Sequence, residues 1–107
     1  MKTYKIVITK SAQKDIENIF DYIAYSLLSF DSAKKQLNKI EKAIYSLKTM
    51  PNRYKLFEEE PEKSYGLHRM IVSNYMICFI VDNNKVTVTN VLYTGSNVHF
   101  HLLKSFK

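Results

Sequence analysis

The chain has 107 residues and a formal net charge of +6, a length that suits one domain with a single core and excludes a multidomain protein. Its composition, 46% hydrophobic and 13% aromatic, is that of a globular protein, and no stretch approaches the ~20 apolar residues of a membrane span. The positive balance points to an acidic partner, a nucleic acid or an acidic polypeptide; because every basic residue except Arg53 and Arg69 is Lys, recognition by point charge outweighs bidentate recognition.

The opening MKTYKIVITK lacks a signal-peptide core, so a cytoplasmic protein is expected. From Thr3 to Thr9, Tyr4, Ile6 and Ile8 alternate with Lys5, Val7 and Thr9, the pattern of a strand. Ser11 is the expected N-cap of a first amphipathic helix, with Ile16, Ile19, Phe20, Ile23, Ala24 and Leu27 at helical spacing and an end near Ser29. A second helix restarts at Asp31 or Ser32 and carries Ala33, Leu37, Ile40, Ile44 and Leu47 until Met50-Pro51 stops it. So short a link folds the pair back as an antiparallel hairpin. Lys35, Lys39 and Lys42 fall opposite the second helix's apolar stripe, where they form either a solvated face or a stripe for a partner.

Between Pro51 and Ser64 the sequence PNRYKLFEEEPEKS keeps no period and reads as a loop over one sheet edge. Then Leu67 to Val72, Tyr75 to Val81 and Val86 to Tyr93 form three short β-branched and aromatic runs, bracketed by Gly66 and Gly95. Linkers as brief as Ser73-Asn74 and Asp82 to Lys85 join antiparallel neighbours, with Asn74, Asn83 and Asn84 suited to positive φ. The middle run is apolar on both faces, Met76, Cys78 and Ile80 on one and Tyr75, Ile77, Phe79 and Val81 on the other, so something must pack on it; the N-terminal half is expected to supply the cover and to leave a face or rim open. A short tail follows from Ser96.

The expected fold is therefore α+β over residues 1–107: an antiparallel sheet of about four strands packed against an N-terminal helical hairpin, in the order β-α-α-β-β-β. Cys78 is the lone cysteine, which excludes an internal disulfide and suggests inert packing. Two glycines cannot build a phosphate-cradling loop. Neither the three histidines nor the run Glu58, Glu59, Glu60 and Glu62 makes a persuasive metal site, and those carboxylates are expected to be solvated; no metal or cofactor is expected. The remaining chemistry is polar and basic: Arg53, Lys55, His68 and Arg69, then Tyr75, Tyr93, His99 and His101. His and Tyr can move protons while Arg and Lys hold phosphate charge, which supplies the parts for RNA cleavage by a neighbouring 2′-hydroxyl. In a regular strand, however, His68 and Arg69 point to opposite faces.

This order of elements, with DIENIFDYIA (15–24), IYSLKTMPNRY (44–54), GLHRMIVSNYMICFIVD (66–82) and VTNVLYTGSN (88–97), resembles the RelE/ParE superfamily of toxins from bacterial type II toxin-antitoxin modules, and the hairpin half looks closer to the ParE branch. The resemblance implies a growth inhibitor neutralised by an acidic antitoxin encoded beside it. ParE-like members poison DNA gyrase; RelE-like members cut messenger RNA on the ribosome without metal. In the nuclease reading Arg69, His68, Tyr93, His99 and His101 are the candidate catalytic residues, and Arg53, Lys55 and Arg69 hold substrate. Met76 and Ser96-Asn97 stand where RelE-like nucleases carry basic residues, a departure that favours the gyrase poison. Lys35, Lys39, Lys42 and Tyr75 are the expected antitoxin contacts. A third reading, from another class, is a non-toxic basic module that binds nucleic acid or protein.

Overall fold

A computed structural model describes residues 2–58, 60 and 62–95. Strand β1, Lys5–Ile8, leads into helix α1, Lys10–Asp21, which runs on through a π-helical turn over Tyr22–Ser26; helix α2, Phe30–Ser46, returns antiparallel to it. A 3-10 turn at Pro51–Arg53 opens the loop to β2, Leu67–Val72, and the chain finishes with β3, Tyr75–Asp82, and β4, Lys85–Tyr93. The expected α+β fold is present, with the hairpin covering one face of a four-stranded sheet ordered β1-β4-β3-β2.

One expectation needs correcting: the sheet is mixed. β2 to β4 form the antiparallel meander, whereas β1 pairs parallel to β4, Ile6 opposite Val86 and Ile8 opposite Val88. Alternating hydrophobicity specifies which face a strand buries and is silent on its direction; the helical crossover sets the direction, returning the chain so that β1 enters beside β4 with the same sense.

Helix starts also differ from the sequence reading. Thr9 rather than Ser11 caps α1, its Oγ1 accepting the Ala12 N–H at 3.1 Å and donating to the Thr89 carbonyl at 3.2 Å. The cap thus ties the helix to β4 as well as satisfying an orphan donor. Helix α2 begins at Phe30, one residue before the expected restart. In the hairpin turns the positive φ falls on Ser73 (55°) and Asn83 (47°), not on Asn74 or Asn84.

The helix-side core gathers Ala12, Ile40, Ile44, Leu47, Met70, Ile77, Phe79, Val86, Val88 and Val91. On the opposite face Phe57, Leu67, Cys78 and Leu92 are buried with Met76 and Ile80 against them. Both faces of β3 are covered: the hairpin covers one, as expected, and the loop covers the other through Phe57, where an open face was expected. The loop lies along the β2 edge, where Leu56 bridges His68, the Phe57 N–H donates to the Leu67 carbonyl at 2.9 Å and the Arg69 N–H donates to the Lys55 carbonyl at 2.9 Å. Those bonds close an edge that would otherwise template pairing. Glu62, expected in solvent with its acidic neighbours, is only 2% exposed.

Candidate functional site

At one end of the sheet, β3 and β4 begin and finish beside the hairpin, and a groove of about 650 Å³ opens between them. It is walled by Ile19, Tyr22, Ile23 and Leu27 from the first helical arm, by Ser32 and Gln36 from α2, and by Asn74, Tyr75 and Tyr93 from the sheet. The register puts Tyr75 opposite Tyr93, and their rings meet edge to face at 6.0 Å. Burial, and secondarily the nearby Tyr93 and Tyr22 phenols, push the Tyr75 hydroxyl above its ordinary pKa, so it stays a neutral donor and acceptor. Among the described residues no Lys, Arg, Asp or Glu lines the groove. Gln36 brings a buried Nε2 with no acceptor among the described residues. Such a groove suits an apolar side chain flanked by a carbonyl, the chemistry of a docked polypeptide, better than it suits a phosphate.

Lys35, Lys39 and Lys42 are exposed along α2. Lys39 stands three residues beyond Gln36, hence one helical turn along nearly the same side. A chain leaving the groove over α2 therefore meets a basic rim.

The described candidate nuclease residues are spread over both sheet faces, the loop and the groove. His68 faces the helix side, its ring stacked on Phe79 at 5.2 Å with an 11° interplanar angle, and its Nδ1–H donates to the Tyr54 carbonyl at 2.8 Å. Arg53 lies over the Tyr54 ring and donates to the Tyr54 hydroxyl at 3.0 Å. Arg69 projects through the other face, over the Phe57 ring at 5.6 Å and beside Cys78, its partner on β3. Between β2 and β3 the register from Leu67↔Ile80 to Val72↔Tyr75 is unbroken, so no bulge turns His68 and Arg69 to a common side. Lys55 is exposed in the loop. Met76 packs on the Phe57 and Cys78 face. Tyr93 is at the groove, and His99 and His101 lie outside the described residues. Among the described residues no group of His, Cys, Asp and Glu is arranged to hold a metal ion, and no helix is long and apolar enough to cross a membrane.

Sequence reasoning missed the groove itself. Tyr75, expected from the sequence as an antitoxin contact, lines the groove, but Tyr22, Leu27 and Gln36 belong to helices whose spacing reports only their core stripes, and nothing in that spacing says that the stripe overhangs the sheet.

A family model described as the ParE toxin of the type II toxin-antitoxin system parDE matches residues 6–98. Among solved structures, the chain is similar to one in the chromosomal ParDE toxin-antitoxin system of P. aeruginosa, with a TM-score of 0.71 and 17% identity over 85% of this chain and 96% of that one. It is also similar to one in the RelBE2 toxin-antitoxin complex of Mycobacterium tuberculosis, with a TM-score of 0.60 and 18% identity over 90% and 97% of the respective chains. No curated protein matches it significantly in sequence.

Proposed function

The chain belongs to the ParE toxin family of type II toxin-antitoxin systems, and from that membership we propose that it arrests growth by acting on DNA gyrase until a cognate antitoxin covers it. The observation that carries gyrase over messenger RNA is the placement of His68 and Arg69 on opposite faces of an unbulged strand. Cleavage of a phosphodiester needs a proton acceptor and cations converging on one phosphate, because negative charge builds there in the transition state. His68 has one ring nitrogen committed to the Tyr54 carbonyl and its ring laid on Phe79. Arg69 leaves the strand on the opposite face, and Arg53 is turned onto the Tyr54 ring.

Neutralisation rests on the groove. An antitoxin segment that inserts an apolar side chain between Tyr22, Leu27, Tyr75 and Tyr93, offers a carbonyl to Gln36 Nε2 and lays carboxylates on Lys35, Lys39 and Lys42 matches the walls of the groove and the basic rim beside it. The net charge of +6 accelerates its arrival. Both encounters place the protein in the cytoplasm.

Induction in a bacterium without the antitoxin tests the target. Stalled replication with a DNA-damage response is expected; prompt message cuts within translated codons, abolished by Arg69→Ala, would make the chain a nuclease instead.

A further inference from the structure

The hairpin tip carries features that the core does not use and the groove uses only in part. Beyond Tyr22 and Leu27, which also wall the groove, Tyr25, Leu28 and Phe30 are exposed large apolar residues, Leu28 at 86%. Contiguous exposed apolar surface of this kind marks an interaction site more often than chance scatter.

The tip is also built stiffly, at a local cost. Its π-helical turn is closed by the Leu27 N–H donating to the Tyr22 carbonyl at 3.0 Å, and the Ser29 N–H reaches back to the Ile23 carbonyl at 3.1 Å. Between them Leu28 adopts φ 52°, the left-handed position that ends a helix and where glycine is the usual residue. Phe30 packs edge to face on Phe20 at 5.7 Å and on Tyr25 at 5.8 Å, fixing the aromatic surface before any partner arrives. A leucine held in a strained backbone position with its side chain in water gives the monomer nothing that glycine would not. Its use lies in what it touches.

Charge indicates what that is. From Asp15 to Ala33 there is no Lys, Arg or His, while Glu17, Asp21 and Asp31 stand exposed around the apolar residues. In a chain of net charge +6, this acidic cap is complementary to a basic surface and repels the acidic antitoxin expected on the lysines of α2.

We infer that the hairpin tip is the target-docking surface of the toxin, an apolar plug of Tyr25, Leu28 and Phe30 centred on Leu28 that enters a basic-rimmed apolar cleft of a protein and adjoins the antitoxin groove. The inference rests on the growth-inhibitor reading and names gyrase as the occupant.

The full chain and two substitutions outside the groove test it. Leu28→Gly removes the plug while relieving the backbone, so its melting temperature should equal or exceed the parent's; Asp21→Lys reverses a rim charge. Leu28→Gly should keep antitoxin affinity within about threefold of the parent, and Asp21→Lys should not weaken it. Inhibition of purified gyrase should fall about tenfold or more for Leu28→Gly, and for Asp21→Lys it should fall with a weakened salt dependence. Growth arrest on induction should be lost with it. Undiminished arrest by Leu28→Gly would overturn the inference. So would a parallel loss of antitoxin affinity, which makes the tip an antitoxin surface, or a parent dimer that Leu28→Gly dissociates, which makes it a self-interface. If arrest depends on the tip while the parent leaves purified gyrase untouched, the gyrase reading fails and docking on another protein stands. A parent that does not arrest growth overturns both.

Discussion

The Asp15 carboxylate of α1 accepts the Val91 backbone N–H of β4 at 2.9 Å. β1 stops at Ile8, opposite Val88, yet β4 continues to Tyr93, so past Val88 its outer edge has no strand to pair with among the described residues. β4 also bulges there, because Cys78 faces Asn90 while Phe79 faces Val88. Asp15 supplies the acceptor the ladder lacks, and the same carboxylate receives the buried Asn90 Nδ2 at 3.5 Å. Asp15→Ala should therefore cost ~1 to 3 kcal/mol, the penalty for a buried donor left without a partner. Urea denaturation measures it; a change under ~0.5 kcal/mol would mean that water replaces the carboxylate.

Ile40 and Leu37 separate core from margin on one helix. Ile40 is fully buried against the sheet and Leu37 only half-buried. Ile40→Ala should cost ~2 to 5 kcal/mol through lost transfer energy and a residual cavity, and Leu37→Ala distinctly less. Equal losses in chemical denaturation would contradict this placement of the core.

Cys78 is held as a neutral thiol. Burial, then the Asp15 and Glu62 carboxylates, push its pKa up to about 12, against a smaller opposing pull from Arg69. Native protein at pH 8 should resist iodoacetamide, since on the order of 10⁻⁴ of the thiol is ionised there, and react once unfolded. The unfolded chain ionises first as pH rises, so it binds fewer protons than the native state above pH 9. Stability from this group is thus complete below pH 9 and lost progressively towards pH 12, a decline that Cys78→Ala should remove.

Gly95 controls the groove through Tyr93. A Cβ at Gly95 would collide with the edge of the Tyr93 ring, and because Tyr93 is half-exposed the ring can swing away without disturbing the core. Gly95→Ala should leave the melting temperature within a few degrees and weaken antitoxin binding about tenfold through the displaced wall. Titration calorimetry against the antitoxin reads the effect; unchanged affinity would remove Tyr93 from the docking surface.

These contrasts mark how far the sequence could be read. Period-2 and period-3.6 patterns locate faces, so β2, the faces of β3 and the stripe through Ile40 and Ile44 were legible, as was the opposition of His68 and Arg69. The parallel entry of β1 was not, because direction depends on the crossover rather than on any residue in the strand. Nor was the Thr9 cap: Thr9 and Ser11 offer the same chemistry, and only the bond to Thr89 across the sheet selects one. Glu62 was read with its acidic neighbours as solvated, since composition averages over a run whose members face different ways. The groove and the tip were hidden for a related reason, as both are formed by residues that the core pattern leaves over.

The central claim is that this toxin acts on gyrase and not on message, and a supercoiling assay with purified gyrase, relaxed plasmid and the full chain tests it most directly. The account predicts loss of supercoiling with accumulation of cleaved plasmid, reversed when antitoxin is added in equal amount. Full supercoiling in the presence of excess toxin, together with toxin-dependent cuts in message on purified ribosomes, would contradict it.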